Sequence, residues 1–344
     1  MTEMSESQIT ALALHYVGNQ ANDEPFVLSK KPFTLDKELN LLLTDWFLGA
    51  FKSEERYRFH DTIDLNYNRV YKIVSDIFDN PDKMFDYSVD LATLLYENCD
   101  HPKIKGGDFY VVRFSGQSVG TEGCEALGLF KIENKDTFIT VEPDSDGFDI
   151  SQVQGANLRK MDKGCLIFNH EREQGYYVSV VDNTNRSEAA YWVDDFLHLE
   201  RRQDAYFQTE NALTMCRNYL AEQLPVDFEV SRADQVDMLN RSLNYFKKEP
   251  KFQLETFEQQ VISQPEVIDK FDEYRKRYQD ERQLVLEEDF DVNPTAVKKQ
   301  TRAFKSVIKL DKNFHIYIHG NRDLVEQGED SHGKFYKLYY HEES

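Results

Sequence analysis

The chain has 344 residues, 40% hydrophobic and 13% aromatic, which is apolar surface enough for a packed core and a length that suggests about two domains. Glycine (15) and proline (9) are too scarce for collagen-like or low-complexity chains, and no run of 18 apolar residues offers a bilayer-spanning helix. Acidic residues outnumber basic ones 62 to 41, and the resulting charge of −21 repels phosphate, so the overall balance argues against nucleic acid as a partner.

The chain opens on the polar, acidic stretch Met1-Thr-Glu-Met-Ser-Glu-Ser. It has no basic start followed by an apolar run, so no secretory leader is expected and the cytoplasm is the expected compartment. Residues 34–50 bring Leu35, Leu39, Leu42, Leu43, Trp46 and Phe47 round at helical spacing, with Thr34 as the expected N-cap. Helices are also expected at 68–78 and 84–97, the second turning Leu91, Leu94 and Leu95 inward. His101-Pro102 through Gly107 breaks the pattern.

The period then changes to two. Strands are expected at 109–114, 126–132, 137–141, 165–168 and 176–181, with turn-rich connections such as Asp144-Ser-Asp146-Gly147. Short turns between consecutive strands imply antiparallel pairing, because parallel strands need long crossovers. The glycine-rich stretch 115–123 is expected to be a mobile loop. It follows a strand but opens no helix, so a phosphate cradle is not expected there.

Helical character returns at Ser187, a good cap for 187–197, and continues at 205–220, 235–246 and 265–278. The acidic stretch 281–291 reads as a linker. Asn293-Pro294 then sets an N-cap before a proline at the first helical position, for a helix running to about Phe304. Strands at 306–310 and 314–319 flank the three-residue loop Asp311-Lys312-Asn313, and 334–340 is expected as a third strand, with 322–330 polar and exposed. The expected fold class is therefore α+β: N-terminal helices plus an antiparallel sheet, a helical middle and a small C-terminal antiparallel sheet. The expected division is 1–185, an α+β domain, and 186–344, a helical domain ending in a basic helix and a hairpin or three-stranded sheet.

Cys99, Cys124, Cys165 and Cys216 are at least 25 residues apart, so neither a CxxC pair nor zinc-ribbon spacing exists, and four free, mostly buried thiols are expected. The charge is less evenly spread. Between 298 and 322 lie seven basic residues, Lys298, Lys299, Arg302, Lys305, Lys309, Lys312 and Arg322, against one acid, Asp311. A basic island in an acidic chain is the most informative charge feature of the sequence.

The island belongs to a longer stretch, 296–320, with the sequence AVKKQTRAFKSVIKLDKNFHIYIHG. It resembles the signature of the bacterial nucleoid-associated NdpA-like proteins. Asp86-Tyr-Ser-Val-Asp-Leu with His101-Pro102, Trp192-Val-Asp-Asp-Phe-Leu, Leu239-Asn-Arg-Ser-Leu-Asn-Tyr-Phe-Lys247 and the closing Lys-Leu-Tyr-Tyr-His-Glu-Glu are similar as well, in the same order. The resemblance implies association with the bacterial nucleoid. It carries no catalytic residue, cofactor or DNA contact over to this chain, so the contacts are argued from the residues themselves.

On the helix after Pro294, Lys298, Arg302 and Lys305 recur at i, i+4 and i+7 as a cationic stripe, while Val297 and Phe304 would face the core. Lys309 and Lys312 extend the stripe into the hairpin. Strand alternation there sets His315, Tyr317 and His319 on one face and Phe314, Ile316 and Ile318 on the other. Lysine and arginine suit phosphate, and tyrosine and histidine can hydrogen-bond phosphate or stack on a base. The expected DNA-binding residues are thus Lys298, Lys299, Arg302, Lys305, Lys309, Lys312, His315, Tyr317, His319 and Arg322. The expected partner is double-stranded DNA, held by its phosphates with little sequence preference, and no enzymatic activity is expected. The competing reading of the island is a solvated face, or one neutralised by the acids of 281–291. Recruitment by a DNA-bound nucleoid protein is the first alternative function.

Asp108 with Glu133-Asn-Lys135 mimics the carboxylates and lysine of metal-dependent nucleases, but a turn accounts for the latter three residues. His315 and His319 lack a third metal ligand, Asp144–Asp149 lacks the closing glutamate of a calcium loop, and no nucleotide-binding glycine motif occurs.

Overall fold

The computed structural model describes residues 7–184, 190–304, 307–317 and 322–342. It divides into two compact units, one ending at Arg202 and the other beginning at Gln203. Among the described residues no helix is long and apolar enough to cross a membrane.

The first unit contains β1 (Gln8–Val17), β2 (Phe26–Val27), α1 (Lys37–Leu48), β3 (Tyr57–Phe59), α2 (Arg69–Asp79), α3 (Met84–Glu97), β4 (Gly107–Val119) and β5 (Glu122–Ile132). It continues with β6 (Asp136–Asp144), β7 (Gly147–Gly155), β8 (Lys163–Phe168), β9 (Tyr177–Asp182) and β10 (Leu199–Arg201). Eight of these strands form one antiparallel sheet in the order β10-β3-β9-β8-β5-β4-β1-β2, and β6–β7 is a separate hairpin. The sheet is covered on both faces. Phe109, Val111, Leu127 and Leu129 pack with Val70, Val74, Leu91 and Leu95 of α2 and α3, while Val112, Phe114, Ala126 and Phe130 pack with Trp46 and Phe47 of α1. The middles of β4 and β5 alternate between two cores, which is why 109–112 and 126–130 read as nearly unbroken apolar runs. Gly128 makes room for this: a Cβ there would stand 2.4 Å from the Phe130 ring.

Several expectations are corrected. Helix α1 is capped by Asp36, which accepts from the Leu39 N–H at 2.8 Å, not by Thr34, because a carboxylate at that position also meets the positive helix end. Leu39 and Leu42 are exposed. The stretch 115–123 is no loop: β4 and β5 extend through it, with an irregularity after Phe114 and a tight turn at Gly120, where φ is 59°. Strand β1 carries little strand signal, because Ala and Leu alternate in it without a β-branched majority. The described part of 187–197 has one 3₁₀ turn, Ala190–Trp192, in place of a helix, and Ser187 lies outside the described residues. Trp192, Phe196 and Leu197 are buried all the same, and the chain then pairs Leu199–Arg201 with Tyr57–Phe59. That pairing carries the first unit on to Arg202.

The second unit is built from α4 (Ala205–Asn218), α5 (Leu224–Asp227), α6 (Arg232–Lys248), β11 (Lys251–Gln253), α7 (Leu254–Phe257), α8 (Pro265–Arg282), β12 (Asp289–Asp291) and α9 (Pro294–Gln300). Its core gathers Leu213, Cys216, Tyr219, Phe246, Phe257 and Phe271. The acidic stretch 281–291 is more than a linker. It finishes α8 and pairs β12 with β11, where Phe290 stacks on Phe252 with ring centroids 4.9 Å apart. In Asp289-Phe290-Asp291 the two carboxylates point out and the ring points in, a period-two pattern three residues long.

The chain ends in two hairpins, β13 (Val307–Leu310) with β14 (Phe314–Tyr317) and β15 (Val325–Asp330) with β16 (Gly333–Leu338). The expected third strand therefore pairs with 325–330, part of the stretch expected to be polar and exposed, and not with the first hairpin. Asp330 Oδ1 accepts from the His332 N–H, and Gly333 takes a φ of 119°, so Asp-Ser-His-Gly supplies a turn of its own. Ile308 and Val325 seat the two hairpins on Ala233 and Val236 of α6.

Candidate nucleic-acid interface

Helix α6 carries Lys247 and Lys248 in its last turn, and α9 carries Lys298 and Lys299 in its own. Cations at these ends face the partial negative charge of unpaired carbonyls, so the local helix electrostatics favour them there. Asn293 caps α9 as expected, its side chain accepting from the Ala296 N–H at 2.9 Å, with Pro294 following. The α-helix stops at Gln300. Thr301–Ala303 is a 3₁₀ turn, and Val297 and Phe304 are buried as expected. The expected continuous stripe is thus interrupted, and Lys305 lies outside the described residues.

Lys298 and Arg302 nonetheless line one cavity of about 670 Å³, together with Lys247 and Lys248 from α6. Val292, Pro294, Pro250, Phe246 and Val297 supply apolar walls, Thr301 a hydroxyl and Glu249, among the described residues, the single carboxylate. All four cations are exposed, and none makes an ion pair or side-chain hydrogen bond among the described residues. Three of the five acids of 281–291 pair elsewhere: Glu288 with Arg275 at 3.0 Å, Asp291 with Lys251 at 3.6 Å and Glu281 with Arg282 at 3.8 Å. None of the five lines the cavity.

The other expected site residues divide. Lys299 turns away from the cavity. Its ammonium sits 3.0 Å from both the Tyr206 hydroxyl and Glu210 Oε1. Burial works to lower its pKa, but the bonds to Tyr206 and Glu210 outweigh that and raise it. Arg322 donates to Asp234 Oδ1 at 2.8 Å and to the Val325 carbonyl, which anchors the second hairpin. Lys309, Lys312, His315 and Tyr317 are exposed on the first hairpin, and the register puts Lys309, His315 and Tyr317 on one face. None of them lines the cavity, and His319 lies outside the described residues. Lys247 and Lys248 were missed because they stand fifty positions from the island. Their only signal was a Lys-Lys pair closing a helix before Glu-Pro.

The nuclease-like residues sit otherwise than a metal site needs. Lys135 pairs with Asp108 at 2.9 Å, while Glu133 turns inward and accepts from the Tyr191 hydroxyl at 2.6 Å and the Thr184 hydroxyl at 3.1 Å. Burial, then the Glu133 carboxylate, push the Tyr191 phenol well above its ordinary pKa.

A family model described as nucleoid-associated protein YejK matches residues 13–332. No curated protein matches the chain.

Proposed function

The chain belongs to the nucleoid-associated protein YejK family, and from that premise we propose that it binds DNA directly and without catalysis, through the cations around the α6–α9 cavity. The observation that carries this reading is the set of four cations, Lys247, Lys248, Lys298 and Arg302, unpaired among the described residues in a chain of net charge −21. Cations that a fold leaves without carboxylate partners keep their full charge for an external anion. The acidic remainder is no bar, since charges beyond about 8 Å are largely screened at physiological salt. It leaves this surface as the favoured one and so orients the molecule on DNA. Among the described residues no array of side chains is aimed into a duplex groove, so duplex binding is phosphate-dominated, with double-stranded DNA of any sequence as a ligand and the nucleoid within the cytoplasm as its place.

The test is a shift assay with pure protein and a duplex of arbitrary sequence. Four phosphate contacts give a slope of log K against log salt of roughly −3 to −4. Changing Lys247, Lys248, Lys298 and Arg302 together to Glu is expected to abolish binding, and unchanged affinity would overturn the site. A second reading, recruitment by a DNA-bound protein, is favoured by the β6–β7 hairpin, whose Ile139, Val141, Phe148 and Ile150 are exposed on one face. It predicts no retardation of naked DNA even in dilute buffer.

A further inference from the structure

Phosphate alone does not account for the shape of the site. A duplex backbone is convex and polar, and charges on an open surface suffice to hold it. Here the four cations surround a concavity whose volume falls in the range of about 300–1,000 Å³ found for small-ligand sites. Its walls, Val292, Pro250 and Pro294 with the edges of Phe246 and Val297, offer apolar contact and no charge. A ligand that uses both parts has an anionic end and a flat, largely apolar body.

We propose that the cavity takes a single nucleotide, its phosphate on the cationic rim and its base against the proline and valine walls. This rests on the reading that the rim meets DNA phosphate. The nucleotide can come as a free mononucleotide or as an unpaired unit of a strand, and the chemistry is the same. A paired base stays in its stack and does not enter. Two polar groups fit a base edge. Thr301 Oγ1 donates to the Val297 carbonyl at 2.8 Å, which leaves its lone pairs to accept from a base N–H. The Glu249 carboxylate, with no side-chain partner among the described residues, can accept from an exocyclic amine, which favours cytosine over thymine.

The full chain is titrated calorimetrically with dCMP, dTMP, deoxycytidine and inorganic phosphate. Separately, a 20-nucleotide strand is compared with its duplex by fluorescence anisotropy. The single strand is expected to bind about tenfold more tightly than the duplex, the yield of burying one base against the apolar walls. Thr301→Trp, which intrudes on the space for the base, should bring that ratio towards one, and Thr301→Leu, a milder change, should lower it even if the tryptophan variant fails to fold. dCMP binding with no strand preference identifies the free mononucleotide as the ligand and upholds the pocket. A strand-to-duplex ratio of one in the unaltered protein, with no calorimetric response to dCMP, overturns the proposal. If the duplex still binds and the fourfold charge reversal still abolishes it, the phosphate reading survives that failure. If no DNA binds at all, it is the phosphate reading that has failed.

Discussion

In the sheet unit Lys131 and Lys163 are fully buried, and each ammonium is enclosed. Lys131 Nζ lies 2.7 Å from the Lys105 carbonyl, 3.0 Å from the Tyr191 hydroxyl and 3.6 Å from Glu133, and Lys163 Nζ reaches both oxygens of Asp182 at 2.9 and 3.0 Å. The Tyr191 ring lies between the two, about 5 Å from each ammonium. In the helical unit Lys247, Lys248, Lys298 and Arg302 stand in solvent with no such partners among the described residues. The same side-chain charge is a structural element in one place and an available ligand in the other. What separates the two is desolvation: a buried ammonium must be compensated by the fold, whereas a solvated one is compensated by water and can exchange it for an anion.

The comparison breaks first at Lys131. Lys131→Met leaves Glu133 as a buried carboxylate facing only hydroxyls, so urea unfolding of the sheet unit should show a loss of about 3–5 kcal/mol. A loss below about 1 kcal/mol would mean that the buried lysines are no more structural than the solvated ones. Removing both charges with Lys131→Met and Glu133→Leu should recover part of the loss, because no lone charge then remains.

Next in size is a buried base that has no counter-ion. The Ser29 N–H points at His15 Nδ1 at 3.3 Å, which places the ring proton on Nε2, 2.9 Å from Ser88 Oγ. Burial holds the imidazole down at about 4. The unfolded chain takes up its proton near pH 6.5 and the folded one only near 4, so acidification favours the unfolded state. This contribution is absent above pH 6.5, grows as the pH falls, and is complete near pH 4, where it reaches about 3 kcal/mol. His15→Gln should flatten that part of the stability profile, and a slope unaltered by the substitution would assign the acid sensitivity to other groups.

The solvated cations give the reverse pattern. Lys298→Met with Arg302→Met should change stability by no more than about 0.5 kcal/mol, as surface changes do. The same pair should lower duplex affinity about tenfold and reduce the salt slope by roughly 2. Thermal melting and anisotropy on one preparation separate the two effects.

How much of this could be read from the sequence follows the range of the forces involved. Helix α3 is legible to the residue, because Leu91, Leu94 and Leu95 mark one face and the breaker at Pro102 follows. The Asn293 cap and the Leu310–Phe314 hairpin were equally local. Strand β1 was not legible, because its partner β4 lies some hundred residues on and supplies the hydrogen bonds that override its alanines and leucines. The apolar spacing of 191–197 suits a helix and is satisfied here by a turn, since Trp192 and Phe196 need only reach the core. At the candidate site, local charge density found Lys298 and Arg302. It could not distinguish Lys299 or Arg322, whose carboxylate partners are some 90 positions away, nor find Lys247 and Lys248, which only the packing of α6 against α9 brings in.

The sharpest form of the comparison lies in two consecutive residues. Lys298 and Lys299 have the same side chain on the same turn of α9, and a 100° step sends one to the cavity and the other to Tyr206 and Glu210. Half of the Lys299 side chain remains exposed, so its ion pair is screened and contributes only about 0.5–1 kcal/mol. Lys299→Met should therefore lower stability by that small amount and leave duplex affinity within about twofold, because a lysine already paired has little charge left to offer. Lys298→Met should leave stability unchanged and weaken the duplex by about threefold, with a salt slope shallower by about one. Equal effects of the two substitutions on affinity would show that the pairing seen at Lys299 yields to phosphate, and that proximity in sequence, not freedom from a partner, decides which cations bind.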